Sequence, residues 1–288
     1  MLPNPRVLIT TVPAFPDRAM APDLCAAIQA GQFRMAWQPI VNCATGELYG
    51  FEALLRWDRP GHGPVSPAVF VPVAEAMGLH RELDAWAMRA ACAEAVRWPR
   101  PLRVAVNVSA GWFHGDELSV LVEDCLHATG LEPSRLEIEV TERVFIEASG
   151  RAQAELGYLK ALGVSLSLDD FGTGFSAMSY LRNISFDKLK LDRMFVEGLG
   201  SCRRTEAIVR AMLHLGAGLG MAVCAEGVEQ ESQLGILQAY RCNEVQGFLI
   251  GRPEALSPAL FSSYGRLDQS DMFMDNGRPG AIRAWVSP

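Results

Sequence analysis

Short strand-like runs alternate with helical patterns along most of this chain, and inside each run apolar and polar residues alternate as well. Successive side chains of a strand point to opposite faces, so each run has two chemically different sides. The runs fall at 35–40, 48–56, 103–108, 136–141, 164–169, 187–191, 221–226 and 243–246. In the third, Val104, Val106 and Val108 share one face, and Ala105 and Asn107 the other. In the fourth, Leu136, Ile138 and Val140 oppose Glu137, Glu139 and Thr141; in the fifth, Val164, Leu166 and Leu168 oppose Ser165, Ser167 and Asp169. In the sixth, Leu189 and Leu191 oppose Lys188 and Lys190; in the seventh, Met221 and Val223 oppose Ala222, Cys224 and Glu226. The branched apolar face has to lie under helices, and the small or polar face has to point into a barrel.

Helices are expected at 68–77, 83–96, 118–128, 148–162, 205–219 and 231–240. The clearest is 205–219, where Ile208, Met212, Leu215 and Leu219 form one apolar face. Strands alternating with helices in this number imply an α/β fold, a closed TIM-like (β/α)8 barrel rather than an open sheet. One connection departs from that scheme. Only 41–47 separate the first two strands, too short for a parallel crossover, so the first strand runs antiparallel to the rest. With the turn centred on Thr45, Gln38 and Glu52 lie equally far from it and sit side by side across the hairpin.

A chain of 288 residues, 49% hydrophobic, is long enough for one such barrel. The expected division is an irregular lead-in at 1–20, the barrel at 21–264 and an irregular tail at 265–288. A net charge of -7 argues against binding a nucleic acid polymer, which requires basic stripes. The seven cysteines are odd in number and scattered without a CxxC, which fits free thiols in a cytoplasmic protein. No apolar run approaches the roughly 18 residues of a membrane span. His62, His80, His114, His127 and His214 form no cluster, and Gly172-Thr173-Gly174 lacks the third glycine of a dinucleotide loop.

Charges inside a barrel are costly unless paired or metal-bound. Yet the inward faces carry Glu139, Asp169, Lys190 and Glu226 near the C-terminal ends of their strands, where this architecture builds active sites. Glu52 and Arg56 share one face of the second strand. Asp169 and Asp170 are adjacent carboxylates; for both to meet one partner the strand must stop between them, and the following Phe171-Gly172-Thr173-Gly174 suits a turn. Glu52, Asn107, Glu139, Asp169, Asp170 and Glu226 together make an all-oxygen set suited to Mg²⁺ or Mn²⁺ and not to zinc. Five carboxylates would overcharge one ion. Two ions bridged by Asp169, about 3.5–4 Å apart, suit an in-line attack on a phosphodiester. Lys190 among carboxylates stays charged and can orient water or neutralise a phosphate oxygen. Glu137, lower on the same face as Glu139, is expected to pair with a basic residue. Glu229 also fits a helix start. Trp57 is expected to pack outside the barrel, and Cys224 as a small interior thiol.

The run Gly50-Phe51-Glu52-Ala53-Leu54-Leu55-Arg56-Trp57 resembles the signature of the EAL family of cyclic di-GMP phosphodiesterases. Around it, in family order, stand Trp37-Gln38-Pro39-Ile40, Asn107-Val108-Ser109, Glu139-Val140-Thr141-Glu142, Asp169 to Gly174, Lys188-Leu189-Lys190-Leu191-Asp192, Glu226-Gly227-Val228-Glu229 and Gln246-Gly247-Phe248. The resemblance spans roughly 23–261. It implies hydrolysis of cyclic di-GMP to linear pGpG with two Mg²⁺ or Mn²⁺ ions, in a homodimer. It places metal ligation on Glu52, Asn107, Glu139, Asp169, Asp170 and Glu226. Catalysis falls to Lys190 and Glu229 with Glu52, and substrate contact to Gln38, Arg56 and Gln246. Glu142 would brace the loop from Asp170 to Ser176, which in the family couples the metal site to a dimer interface. Phe175 and Phe248 stand where tyrosine is common, and Ile250-Gly251-Arg252-Pro253 replaces a more usual Phe-Ser-[Arg/Lys]-Pro. Relatives on this fold that lose ligands act as cyclic di-GMP receptors or protein-interaction modules; here every ligand position is filled.

Overall fold

Asn42 begins a tight turn by accepting hydrogen bonds at its Oδ1 from the backbone N–H groups of Ala44 and Thr45, at 3.0 and 2.9 Å. In the computed structural model this turn joins β1 (Phe33–Asn42) to β2 (Leu48–Arg59). The two strands pair antiparallel, and their register places Gln38 opposite Glu52. The structure describes residues 20–115, 117–172, 181–182 and 184–264, without the side chains of 146–149. The expected lead-in at 1–20 (Met20 apart) and the tail at 265–288 lie outside the described residues.

From β2 the sheet continues through β4 (Arg103–Asn107), β5 (Leu136–Thr141), β6 (Ser165–Phe171), β7 (Lys188–Leu191), β8 (Ala222–Ala225) and β9 (Glu244–Val245). All of these run parallel to their neighbours. β9 returns to β1 in antiparallel pairing and closes the cylinder. The short β3 (Gly63–Val65) extends β2 outside the ring. The fold is thus the closed eight-stranded α/β barrel with one reversed strand that the alternation and the short hairpin require.

Among the described residues the outer layer comprises α1 (Ala21–Gln29), α2 (Pro67–Met77), α3 (His80–Ala95), α4 (Glu117–Thr129), α5 (Arg143–Leu162), α6 (Arg193–Glu197), α7 (Arg203–Leu219), α8 (Glu231–Ala239) and α9 (Pro258–Ser262). None of these is long and apolar enough to cross a membrane. Outward-facing Val104, Val106, Ile138, Val140, Leu166, Leu168, Leu189 and Val223 join the helices in one continuous apolar core. Trp57 is fully buried outside the barrel, against Phe33 and Phe70 in a separate cluster under α1 and α2.

α7 does not present the expected face. Val209, Leu213 and Gly216 are buried, while Ile208 and Leu219 are exposed and Met212 and Leu215 only partly covered. The offset has a cause at Gly216, where an added Cβ would stand 2.4 Å from Val223 Cγ2. The helix approaches the sheet through its smallest residue, so the contact face is not the most apolar one.

Gly247, after β9, carries φ of +157°, and a Cβ there would stand 2.2 Å from both the N and the O of Val228. Neither neighbour is a side chain that can rotate away. Gly247→Ala should therefore lower the unfolding free energy by about 3 kcal/mol, read as a shifted urea midpoint at unchanged slope.

Candidate active site

The inner strand faces bring Lys190 to the centre of an acidic ring. Its ammonium lies 2.7 Å from Glu226 Oε1, 2.8 Å from Glu139 Oε1, 3.5 Å from Glu52 Oε2 and 3.6 Å from Asp169 Oδ1. Lys190 and Glu139 are almost fully buried, and Glu226 and Asp169 are partly open at the mouth. Glu52 is fixed from two sides. Its Oε1 accepts from Asn107 Nδ2 and its Oε2 from Gln246 Nε2, both at 2.7 Å. Gln246 Nε2 also donates to Gln38 Oε1 at 3.0 Å, and Gln38 Nε2 donates to the Gly251 carbonyl at 3.3 Å. The antiparallel hairpin therefore brings Gln38 and Glu52 to one amide on β9's extension.

Asp169 and Asp170 meet the mouth by a different route from the expected strand end. β6 runs through both to Phe171, and its pairing with β7 shifts register between Leu168 and Phe171. Asp170 takes φ of +54°, a conformation aspartate tolerates better than most residues. A bulge of this kind re-aims side chains beside active sites. Asp170 N–H donates to Asp169 Oδ1 at 2.9 Å.

The ring is short of positive charge. Burial pushes the Glu139 carboxyl well above its usual range, and repulsion from Glu52 adds to it. Glu226 is pushed up to about 8, first by burial, against the opposing pull of Lys190. Asp170 rises to about 6 through burial and the neighbouring Asp169. Burial would raise Glu52 too, but Lys190 and the donors of Gln246 and Asn107 outweigh it, and the net shift is downward. Burial disfavours the Lys190 ammonium, yet Asp169, Glu139, Glu226 and Glu52 hold its pKa well above the usual value. One ammonium cannot balance this many carboxylates, and Glu139, Glu226 and Asp170 shift upward accordingly.

Residues 22–253 match the EAL domain family. This chain belongs to that family. A signaling protein of unknown role from Caulobacter vibrioides is 45% identical to this EAL domain over 265 residues, 92% of this chain and 31% of the relative. The bifunctional diguanylate cyclase/cyclic di-GMP phosphodiesterase MucR of Pseudomonas aeruginosa is 39% identical over 244 residues, 83% of this chain and 36% of its own length. The chain thus spans about a third of the curated relatives it matches. The solved structure of the PaMucR phosphodiesterase in complex with c-di-GMP superposes with a TM-score of 0.78 at 38% identity, covering 82% of this chain and 97% of that one. The EAL enzyme Bd1971, with cAMP and cyclic di-GMP bound, gives 0.80 at 29% identity, covering 84% and 67%.

Divalent ions are what the EAL family resemblance implies, and the chemistry of the donor set fits them. The ring is all oxygen, and both Glu139 oxygens are buried without a well-aligned hydrogen-bond donor. Among the described residues no three acidic, histidine or cysteine side chains already stand in ligand spacing. Lys190 is within reach of four of the carboxylates, so binding ions would require it and them to part.

Two cavities of the EAL domain flank the Asp169-Asp170 pair. A small one of about 220 Å³ is lined by Gln38, Glu52, Asp169, Glu226, Gln246 and the half-exposed Phe248. A larger one of about 710 Å³ is walled by Leu54, Val71 and Pro72 and carries Arg56, Asn107 and Asp170. Arg56 stands on β2 four residues beyond Glu52, so the two lie over different cavities. Glu142 Oε1 accepts from the Gly172 N–H at 2.8 Å, at the start of the loop after β6. The rest of that loop, from Thr173 to Ser176, lies outside the described residues. Glu137 pairs with Lys188 at 2.8 Å, deeper in the barrel. Cys224 is a fully buried thiol whose pKa burial pushes well above its usual value.

Arg193, at the mouth of the small cavity, escaped the sequence reading because it closes the charged run 187–193 and falls on no inward strand face. The signal that points to it is Gly227, on the facing turn.

Proposed function

We propose that this EAL domain hydrolyses cyclic di-GMP to linear pGpG with two Mg²⁺ or Mn²⁺ ions in the cytoplasm. The observation that carries the reading is the charge-starved ring around Lys190 at the barrel mouth, beside a relative of 38% identity solved with c-di-GMP. Glu52, Asn107, Glu139, Asp169, Asp170 and Glu226 would hold the ions. When bound, they would supply Lewis-acid activation of the phosphodiester and of water. Lys190 would then turn from bridging carboxylates to orienting the attacking water. Gln38 and Gln246 present amides along the small cavity, and Arg56 offers a guanidinium to phosphate in the larger one. Glu229 stands at the rim as a proton acceptor. Two cavities of unequal size on either side of a charged centre suit a ring of two phosphates carrying two flat bases.

We propose a homodimer through the loop from Asp170 and the helix after it, a segment largely outside the described residues, with α7 beside it. Ile208 and Leu219 are 41% and 46% exposed, and Met212 lies within reach of Gly172, where a Cβ would stand 2.5 Å from its Cε. A partner covering that stripe would press on the loop after Asp169-Asp170.

One observation favours a second reading, a receptor that binds cyclic di-GMP without turning it over. Among the described residues the carboxylates do not stand in ligand spacing. Incubation with cyclic di-GMP and Mn²⁺ or Mg²⁺, followed by chromatography, separates the two. Linear pGpG is the expected product; stoichiometric binding with no product would establish the receptor.

A further inference from the structure

We propose that Arg193 is a positioning residue that holds the Glu229 carboxylate over the mouth of the small cavity. What Glu229 then does rests on the phosphodiesterase reading; where it is held does not. Arg193 opens α6, immediately after the strand that carries Lys190, and Asp192 caps that helix by accepting from Met194 N–H at 2.8 Å. The guanidinium therefore leaves the backbone at a fixed point above Lys190. It spans two carboxylates. Nε donates to Glu197 Oε1 at 2.6 Å along α6, and Nη2 lies 3.3 Å from Glu229 Oε1 across the rim.

The side chain's aliphatic part is seated as well. Gly227 has φ of +68°, and a Cβ there would stand 2.4 Å from Arg193 Cγ and 2.6 Å from Cβ. The turn between Glu226 and Glu229 thus leaves the space of one side chain for the arginine stem. The other support of Glu229 is backbone only: its N–H donates to Gln233 Oε1 at 2.9 Å, in the capping arrangement that starts α8. Among the described residues no other cation pairs with its carboxylate or lines this cavity. Without Arg193, the half-exposed side chain would have no described cation to hold it over the cavity and would turn to solvent.

Both groups are exposed, so the pair is screened and its effect is moderate. Arg193→Ala should lower kcat for cyclic di-GMP by about tenfold with KM within twofold of the parent, and Arg193→Lys should recover most of the loss. Glu197→Gln, which removes only the charge of the partner on α6, should leave kcat unchanged. Crystal structures of the parent and Arg193→Ala without nucleotide supply the readout independent of turnover: Glu229 should leave the rim in the variant. Loss in KM alone would make Arg193 a substrate contact instead. Equal loss in Glu197→Gln would make it a helix brace. An unmoved Glu229 would overturn the proposal outright. If the parent itself forms no product, the phosphodiesterase reading fails, and the position of Glu229 in the two crystals still decides this inference.

Discussion

Asp169→Ala should reduce cyclic di-GMP turnover at least about a thousandfold while the thermal midpoint changes little. Groups preorganised at a centre of developing charge each carry factors of roughly 10²–10³, and on the proposed reading Asp169 would help hold the ions that supply that charge. Stability changes little, because two effects oppose. Asp169 adds to the repulsion that raises Glu139, Glu226 and Asp170, yet it is also the foremost charge that holds Lys190 protonated, at 3.6 Å. Removing it leaves Lys190 with Glu226 and Glu139 at 2.7 and 2.8 Å. The Asp170 N–H loses its acceptor at the open mouth, where water replaces it. Steady-state hydrolysis and a thermal melt on the same preparation measure both halves. Parent-like turnover would remove Asp169 from the site, and an unfolded variant would mean that the ring holds the barrel together rather than serving chemistry.

The strand faces were readable because a barrel wall obeys a period of two on both sides at once. Val104 and Val106, or Leu166 and Leu168, can only be the helix side when Ala105, Asn107, Ser167 and Asp169 alternate with them. The hairpin register followed from counting, since seven intervening residues admit few turns. What resisted reading was set by contacts between distant parts of the chain. The buried face of α7 depends on a glycine meeting Val223, and helical periodicity scores glycine as neutral. The double aspartate turns at a bulge because β7 pairs with Leu168 and then with Phe171, a register choice invisible within the run 168–176 itself. Arg193 was hidden for the same reason. Its partner Glu229 and its seat Gly227 lie more than thirty residues away, and only the folded chain brings them to one rim. α1, α6 and α9 went unassigned, α6 because it is a short helix that its cap, Asp192, starts and Gly198 ends.

Lys188→Met should lower the thermal midpoint by on the order of 10 °C. Lys188 lies one step below Lys190 on the inner face of β7, about 2% exposed, with Glu137 at 2.8 Å and Glu244 at 2.6 Å. The Tyr49 ring sits 4.4 Å from its ammonium, and Arg103, 5.3 Å from the same ring, donates to Ser165 Oγ at 2.5 Å. Breaking a buried ion pair costs about 3–5 kcal/mol because the remaining charge stays desolvated, and here two carboxylates would be stranded. Each kcal/mol shifts the midpoint by roughly 2–4 °C in domains near this size. The deficit has a pH sign. Burial already raises Glu244 even with Lys188 beside it, and loss of the ammonium raises it further. A carboxyl whose folded pKa exceeds its unfolded value favours the fold at low pH, so the variant's deficit should shrink toward pH 5 and widen toward pH 8. Adding Glu137→Gln and Glu244→Gln to Lys188→Met should restore most of the midpoint, since neutral groups of the same shape need no counterion. Melts of the single and triple variants at both pH values provide the test. A single variant as stable as the parent would show that the triad does not hold the barrel floor, and a triple variant no better than the single would show that the deficit does not come from the two stranded carboxylates.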